Sequence, residues 1–121
     1  MSKRILVVED HEENRRIMRD LLTSAGYEMI EAVTGEDGVA LAERERPDLI
    51  LMDIQLPGLD GYEATRRIKA NPALRAIPII AVTSYALSGD DIKAREVGCT
   101  DYVTKPFSPR ALLAKIRQYL P

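Results

Sequence analysis

The residues of this chain best equipped for chemistry are few and widely spaced. Glu9 and Asp10 follow the apolar run Arg4–Val8. Asp53 interrupts the stretch LILMDIQLPG, directly after four apolar residues. Thr83-Ser84 and Thr104-Lys105-Pro106 close two later runs. A buried carboxylate is costly unless it has a partner or a purpose. Three carboxylates crowded together repel and raise one another's pKa values; with Lys105 offsetting one charge, about two negative charges remain, matched by one divalent cation. Hard oxygen donors with no histidine or cysteine expected nearby point to Mg²⁺, or Mn²⁺, rather than zinc. Mg²⁺ keeps several waters and usually bridges to phosphate. With a hydroxyl and a lysine beside it, phosphoryl transfer is the natural chemistry, with Asp53 as nucleophile. Taken singly, a strand-end aspartate is a cap or turn former and a strand-end lysine a solvated charge. Only their joint placement carries weight.

That placement depends on five short apolar runs alternating with five helical patterns. The expected strands are Arg4–Val8, Tyr27–Ala32, Asp48–Met52, Ile77–Val82 and Thr100–Val103. The first, third and fourth are nearly continuous in apolar residues, as central strands covered on both faces should be. The second alternates more and fits an edge. Helix 1 (Glu12–Ala25) carries the stripe Ile17, Met18, Leu21, Leu22 and Ala25, with Gly26 as its stop. Helix 2 (Glu36–Arg46) follows Thr34 as cap and ends at Pro47. Helix 3 (Gly61–Ala70) starts with the capping-box pair Asp60 and Glu63. Helix 4 (Gly89–Val97) has Ser88 as cap and Gly98 as stop. Helix 5 (Pro109–Leu120) has Ser108 as cap and Pro109 at its first position. Strict βα alternation predicts right-handed crossovers and an α/β fold, a five-stranded parallel sheet with helices on both faces. In such folds ligands bind beyond the carboxyl ends of the strands, where these acids, Thr83 and Lys105 fall.

At 121 residues the chain is expected to be one domain, 1–121, with nothing left over for a DNA-binding or catalytic unit. The net charge of −2, with both signs interspersed, argues against nucleic acid or an anionic membrane as partner. The one cysteine, Cys99, excludes an intrachain disulfide and suits a reducing cytosol. No apolar run approaches a membrane span, and no signal peptide is legible. A cytoplasmic protein is expected.

At VVEDHEENR, LILMDIQLPGLDG, AVTSYA and DYVTKPF the chain resembles the receiver domain of two-component response regulators, over essentially its whole length. Its wording is similar to single-domain receivers of the DivK type. The resemblance implies the flavodoxin-like strand order 2-1-3-4-5 and a bacterial signalling phosphoprotein rather than an enzyme. It implies that Asp53 accepts a phosphoryl group from the phosphohistidine of a histidine kinase or phosphotransfer protein. It further implies that Glu9, Asp10, Asp53 and the Gln55 backbone carbonyl hold Mg²⁺, that Thr83 and Lys105 bind the phosphoryl oxygens, and that Thr83 and Tyr102 form the switch. The switch would act on a downstream protein target through helix 4, strand 5 and helix 5. Lys105-Pro106 would be cis. Helix-4 and helix-5 positions that pair in dimerising DNA-binding relatives are Asp91 and Ala111 here, so a monomer or weak dimer is expected. Tyr85 is expected to roof the phosphoryl group against water, while Gln55 could orient a water.

Other functions are less consistent with the residues. A Mg²⁺-dependent phosphohydrolase would need an acid where Gln55 stands, and a cap insertion. A flavin carrier would meet repulsion from the acidic loop EDHEEN. A receiver excised from a hybrid kinase would keep the same chemistry.

Overall fold

A computed structural model describes residues 2–84 and 90–121, apart from the side chains of residues 90 and 91. The elements alternate in chain order: β1 (Arg4–Val8), α1 (Glu12–Ser24), β2 (Glu28–Ala32), α2 (Gly35–Glu45), β3 (Leu49–Asp53), α3 (Gly61–Ala70), β4 (Ile79–Thr83), α4 (Asp90–Glu96), β5 (Asp101–Thr104) and α5 (Pro109–Tyr119). All strands pair in parallel, in the order β2-β1-β3-β4-β5, as expected. Every residue of β3 and β4 is buried, whereas β2 at the edge is largely half-exposed.

The boundaries shift by a residue or two. β3 takes in Asp53 and β4 takes in Thr83, so both polar residues belong to the strands rather than to the loops after them. β5 runs one residue later than expected and ends on Thr104. α2 stops at Glu45 because Arg46 adopts a left-handed conformation, φ 46°, where Pro47 disfavours further helix. Thr34, Asp60 and Ser108 cap α2, α3 and α5, each accepting a backbone N–H three residues on. The expected cap Ser88, the start of helix 4 at Gly89, and the shielding residue Tyr85 lie outside the described residues, as does the side chain of Asp91.

Successive strand residues point to opposite faces, and this divides the core in two. Leu6, Val8, Ile50, Met52, Ile79 and Ala81 meet Ala42, Ala64, Ile68, Ala94 and Val97 on one face. Ile5, Val7, Leu49, Leu51, Ile80 and Val82 meet Met18, Leu22, Leu112 and Ile116 on the other. One expectation for α1 fails. Ile17 lies on its apolar stripe yet is 46% exposed, because the strip that α1 covers is filled by Met18 and Leu22.

Candidate functional site

The carboxyl ends of β1, β3, β4 and β5 lie side by side, and the polar residues that close these strands converge there. Glu9 is wholly buried beside the end of β1. Its Oε1 accepts from Lys105 Nζ at 2.9 Å and from Asn14 Nδ2 at 3.2 Å. Its Oε2 accepts the His11 backbone N–H at 3.1 Å. Asp53, buried at the end of β3, accepts from Lys105 Nζ at 3.3 Å through Oδ2 and from Gln55 N at 3.1 Å through Oδ1. One ammonium therefore bridges two buried acids. Lys105 is delivered by β5, whose backbone is tied to β4 by a Lys105 N–H to Thr83 carbonyl bond of 2.7 Å. The Lys105-Pro106 bond is cis. Gly61 sets the floor: a β-carbon there would run into the Asp53 carbonyl and the Ile54 backbone, so only glycine lets α3 begin so close to β3.

Asp10 is only partly buried, but its Oδ1 is shielded from solvent and has no hydrogen-bond partner among the described residues. An orphaned buried oxygen is costly in an apolar setting. One oxygen or nitrogen from each of Glu9, Asp10, His11 and Asp53 can be chosen so that all lie within 4.8 Å of one another. His11 corrects the expectation that no histidine lies close by. The residue before α1 takes an extended backbone conformation, which turns the ring toward the acids; Nδ1 stands 3.3 Å from Glu9 Oε2 and 3.2 Å from Asp10 Oδ1.

Gln55 holds a position that its residue type does not announce. Its Nε2 donates to Thr83 Oγ1 at 3.1 Å, and its Oε1 accepts the Ser84 N–H at 3.2 Å. With its own N–H on Asp53, Gln55 links the acid to the end of β4. Tyr102 stands apart from the acids. It is half-buried on β5 opposite Ala81, packs against the first core cluster, and its N–H bonds Asp101 Oδ1 at 2.8 Å.

The electrostatics follow from this geometry. The acids were expected to raise one another's pKa values, and this holds for one of them. Burial and then the Glu9 charge push Asp53 up to about 7, against Lys105 and the Gln55 N–H. Burial also opposes ionisation of Glu9, but Lys105 and the His11 N–H outweigh it and bring Glu9 down to about 2. The shorter bond to Lys105 decides which acid stays charged. Lys105 is itself partly desolvated, yet the two acids hold its pKa above the ordinary value.

Beside the acids runs a groove of about 400 Å³, lined by Asn14, Ile17, Ser84, Lys105, Phe107 and Pro109 among others. The exposed Ile17 is explained by position, because it forms one wall of this groove. No helix among the described residues is long and apolar enough to cross a membrane.

The comparisons with known proteins agree with one another. The family model for the response regulator receiver domain matches residues 5–117. The chain is 45% identical over 120 residues to a polar-differentiation response regulator DivK of Brucella anthropi, covering 99% of this chain and 98% of that one. Among solved structures it is similar to the receiver domain of a sensor histidine kinase from Pseudomonas aeruginosa, described with a magnesium ion coordinated in its active site cleft. That match has 41% identity, a TM-score of 0.92 and 98% coverage of both chains. The chemotaxis protein CheY4 of Vibrio cholerae superposes with a TM-score of 0.93 at 27% identity, over 98% of this chain and 99% of that one. A parallel sheet in the order expected, acids gathered at its carboxyl edge and a family match from β1 into α5 lead to one assignment: the chain belongs to the response regulator receiver domain family.

Proposed function

We propose that Asp53 accepts a phosphoryl group from the phosphohistidine of a histidine kinase or phosphotransfer protein. The observation that carries this reading is the Lys105 ammonium bridging Glu9 and Asp53 at 2.9 and 3.3 Å. In the step, the histidine nitrogen–phosphorus bond breaks as an Asp53 oxygen–phosphorus bond forms, and the nitrogen leaves as imidazole. Lys105 can then turn from Asp53 to a phosphoryl oxygen, while its bond to Glu9 keeps it in place. Thr83 Oγ1 exchanges its bond with Gln55 for one to the phosphoryl group. Glu9, Asp10 and Asp53, with the Gln55 carbonyl, are the residues to hold Mg²⁺, and Mn²⁺ can replace it. The oxygen donors and the orphaned Asp10 Oδ1 fit a hard divalent cation. When bound, that ion supplies positive charge for the phosphoryl oxygens. The exposed Ile17 and the groove toward Phe107 offer the phosphodonor an apolar seat beside Asp53.

The output is binding to a downstream protein rather than turnover of a separate substrate. The face of α4, β5 and α5 carries Arg95, Tyr102, Phe107 and Lys115 around a shallow cavity, with Ile92 exposed nearby. Movement of Thr83 would free space for the Tyr102 ring to turn inward, and a few kcal/mol of differential stabilisation is enough for such a switch. We read the protein as one receiver domain, cytoplasmic, and a monomer or weak dimer, acting on neither nucleic acid nor membrane. The 45% identity to a DivK regulator, over 99% of this chain and 98% of that one, supports the single-domain reading over a receiver belonging to a hybrid kinase. The phosphohydrolase reading finds no support, since Gln55 is neutral and engaged with Thr83 and Ser84.

The test is to treat the protein with Mg²⁺ and acetyl phosphate, or with a phosphorylated kinase, and map the adduct by mass spectrometry. The adduct should sit on Asp53 and be lost in Asp53→Asn. Undiminished labelling of that variant would refute the assignment.

A further inference from the structure

The ring of His11 is not used by the chemistry above, yet it faces the metal seat. Its Nδ1 lies 3.3 Å from Glu9 Oε2 and 3.2 Å from Asp10 Oδ1. Adjacent donors around one ion, each about 2.0–2.2 Å from it, stand roughly 2.8–3.1 Å apart in octahedral geometry and roughly 3.3–3.6 Å apart in tetrahedral geometry. The imidazole nitrogen stands close to the tetrahedral spacing from each of the two carboxylate oxygens, and one donor atom from each of Glu9, Asp10, His11 and Asp53 can be chosen so that all four lie within 4.8 Å of one another. The ring is 68% exposed, so it can approach or withdraw without disturbing the core. Glu9 uses its other oxygen, Oε1, for Lys105 and Asn14, while Oε2 accepts the His11 backbone N–H at 3.1 Å and lies beside the ring. Asp10 Oδ1, buried and without a hydrogen bond among the described residues, is a second oxygen donor, 3.2 Å from the ring nitrogen.

Oxygen donors alone suit Mg²⁺, which gains little from imidazole. A nitrogen added to carboxylates shifts preference toward borderline divalent transition ions. We propose that His11 is a side-chain ligand that lets this acid pocket take a transition ion such as Zn²⁺ or Co²⁺, with Glu9, Asp10 and Asp53 as the other donors, in competition with Mg²⁺. The inference rests on the reading of these acids as the metal site. It adds a second metal class and an antagonist: a transition ion seated on His11 occupies the place Mg²⁺ needs for phosphoryl transfer.

The chain contains one histidine, which makes the test clean in untagged, full-length protein. The imidazole nitrogens are labelled with ¹⁵N and followed by NMR while Zn²⁺ or Mg²⁺ is added, and both affinities are measured by calorimetry. Zn²⁺ should move the His11 Nδ1 resonance strongly and Mg²⁺ should leave it in place. His11→Gln should weaken Zn²⁺ about ten-fold or more and Mg²⁺ less than about two-fold, as donor softness requires. Asp10→Asn should remove the Zn²⁺-induced shift. An unmoved imidazole, equal losses for both metals in His11→Gln, or a shift that survives Asp10→Asn would each overturn the proposal. If Mg²⁺ fails to bind the unmodified protein while Zn²⁺ still moves the ring, the Mg²⁺ reading fails and the His11 site stands.

Discussion

Replacing Asp53 by asparagine should stabilise the metal-free protein at alkaline pH. Burial and the neighbouring Glu9 charge lift Asp53 from 3.8 to about 7. The folded protein therefore holds a proton that the unfolded chain has released. For an acid with a raised folded pKa, stability declines as pH climbs from about 4 through about 7 and is level beyond. At about 1.4 kcal/mol per pKa unit, Asp53 taken alone would cost roughly 4 kcal/mol when ionised. Part of that is mutual repulsion with Glu9, and Lys105 keeps less of its 3.3 Å contact when it meets an amide. A net gain of about 2 kcal/mol for Asp53→Asn is a reasonable balance at an effective dielectric near 20. Glu9 does not mask the effect. Its pKa is lowered to about 2, so its favourable share is complete above its ordinary 4.5 and is lost only as pH falls toward 2. The assay is urea unfolding of both proteins in a chelator, at about pH 8 and about pH 5. The variant should lead by about 2 kcal/mol at the higher pH, or about 8 °C in Tm for a domain of this size. At the lower pH Asp53 is protonated in the folded parent but largely ionised in its unfolded chain, so the lead should fall to less than about half. No gain at pH 8, or the same gain at both pH values, would refute the electrostatic account.

Three further outcomes are expected. Gln55→Ala removes the bonds to Thr83 Oγ1 and Ser84 N; at about 1 kcal/mol for a net hydrogen bond, phosphorylation by acetyl phosphate should speed up by about five-fold, and an unchanged rate would show that the bridge does not restrain Thr83. Gly61→Ala drives a methyl group into the Asp53 carbonyl and should lower stability by about 1–3 kcal/mol, read by urea unfolding; a neutral effect would mean α3 can withdraw freely. Asp10→Asn removes a hard ligand and some repulsion together, so Mg²⁺ affinity should fall while Tm is unchanged or slightly higher; equal Mg²⁺ affinity would contradict the ligand set.

The fold was legible because its signals are redundant. Apolar runs of strand length, the caps Thr34, Asp60 and Ser108, and the stops Gly26, Pro47 and Gly98 all point to the same alternation, and errors of a residue or two leave it intact. Glu9, Asp10, Asp53, Thr83 and Lys105 were legible because strand ends in a parallel sheet share one edge. His11 was not. Its backbone is the helix cap position, and local backbone and side-chain torsions that periodicity does not encode bring its ring beside Glu9 and Asp10. The grip of Gln55 on Thr83 was also hidden, because it joins residues 28 apart in sequence through side-chain torsions that periodicity does not encode. Ile17 was placed on the buried stripe because a helical period cannot tell the centre of a packed face from its rim.

The alternation of the two cores has a consequence for how a signal could travel. Ile79 and Ala81 face the layer of α3 and α4, whereas Ile80 and Val82 face α1 and α5. By that parity Thr83 belongs to the first side, and so does Tyr102, paired with Ala81 across the sheet and packed on the same cluster. The sheet thus works as a partition. A displacement of Thr83 would meet first the side of the sheet whose buried cluster includes Ala94 and Val97; Met18, Leu22 and Leu112 belong to the other cluster. α4 lies across the sheet from α1, on which a phosphodonor would rest, whereas α5 shares the α1 side. The two-residue repeat of a β-strand thus sorts the output face into two halves: α4 on the side of Thr83 and Tyr102, and α5, with Phe107, on the side of the donor groove.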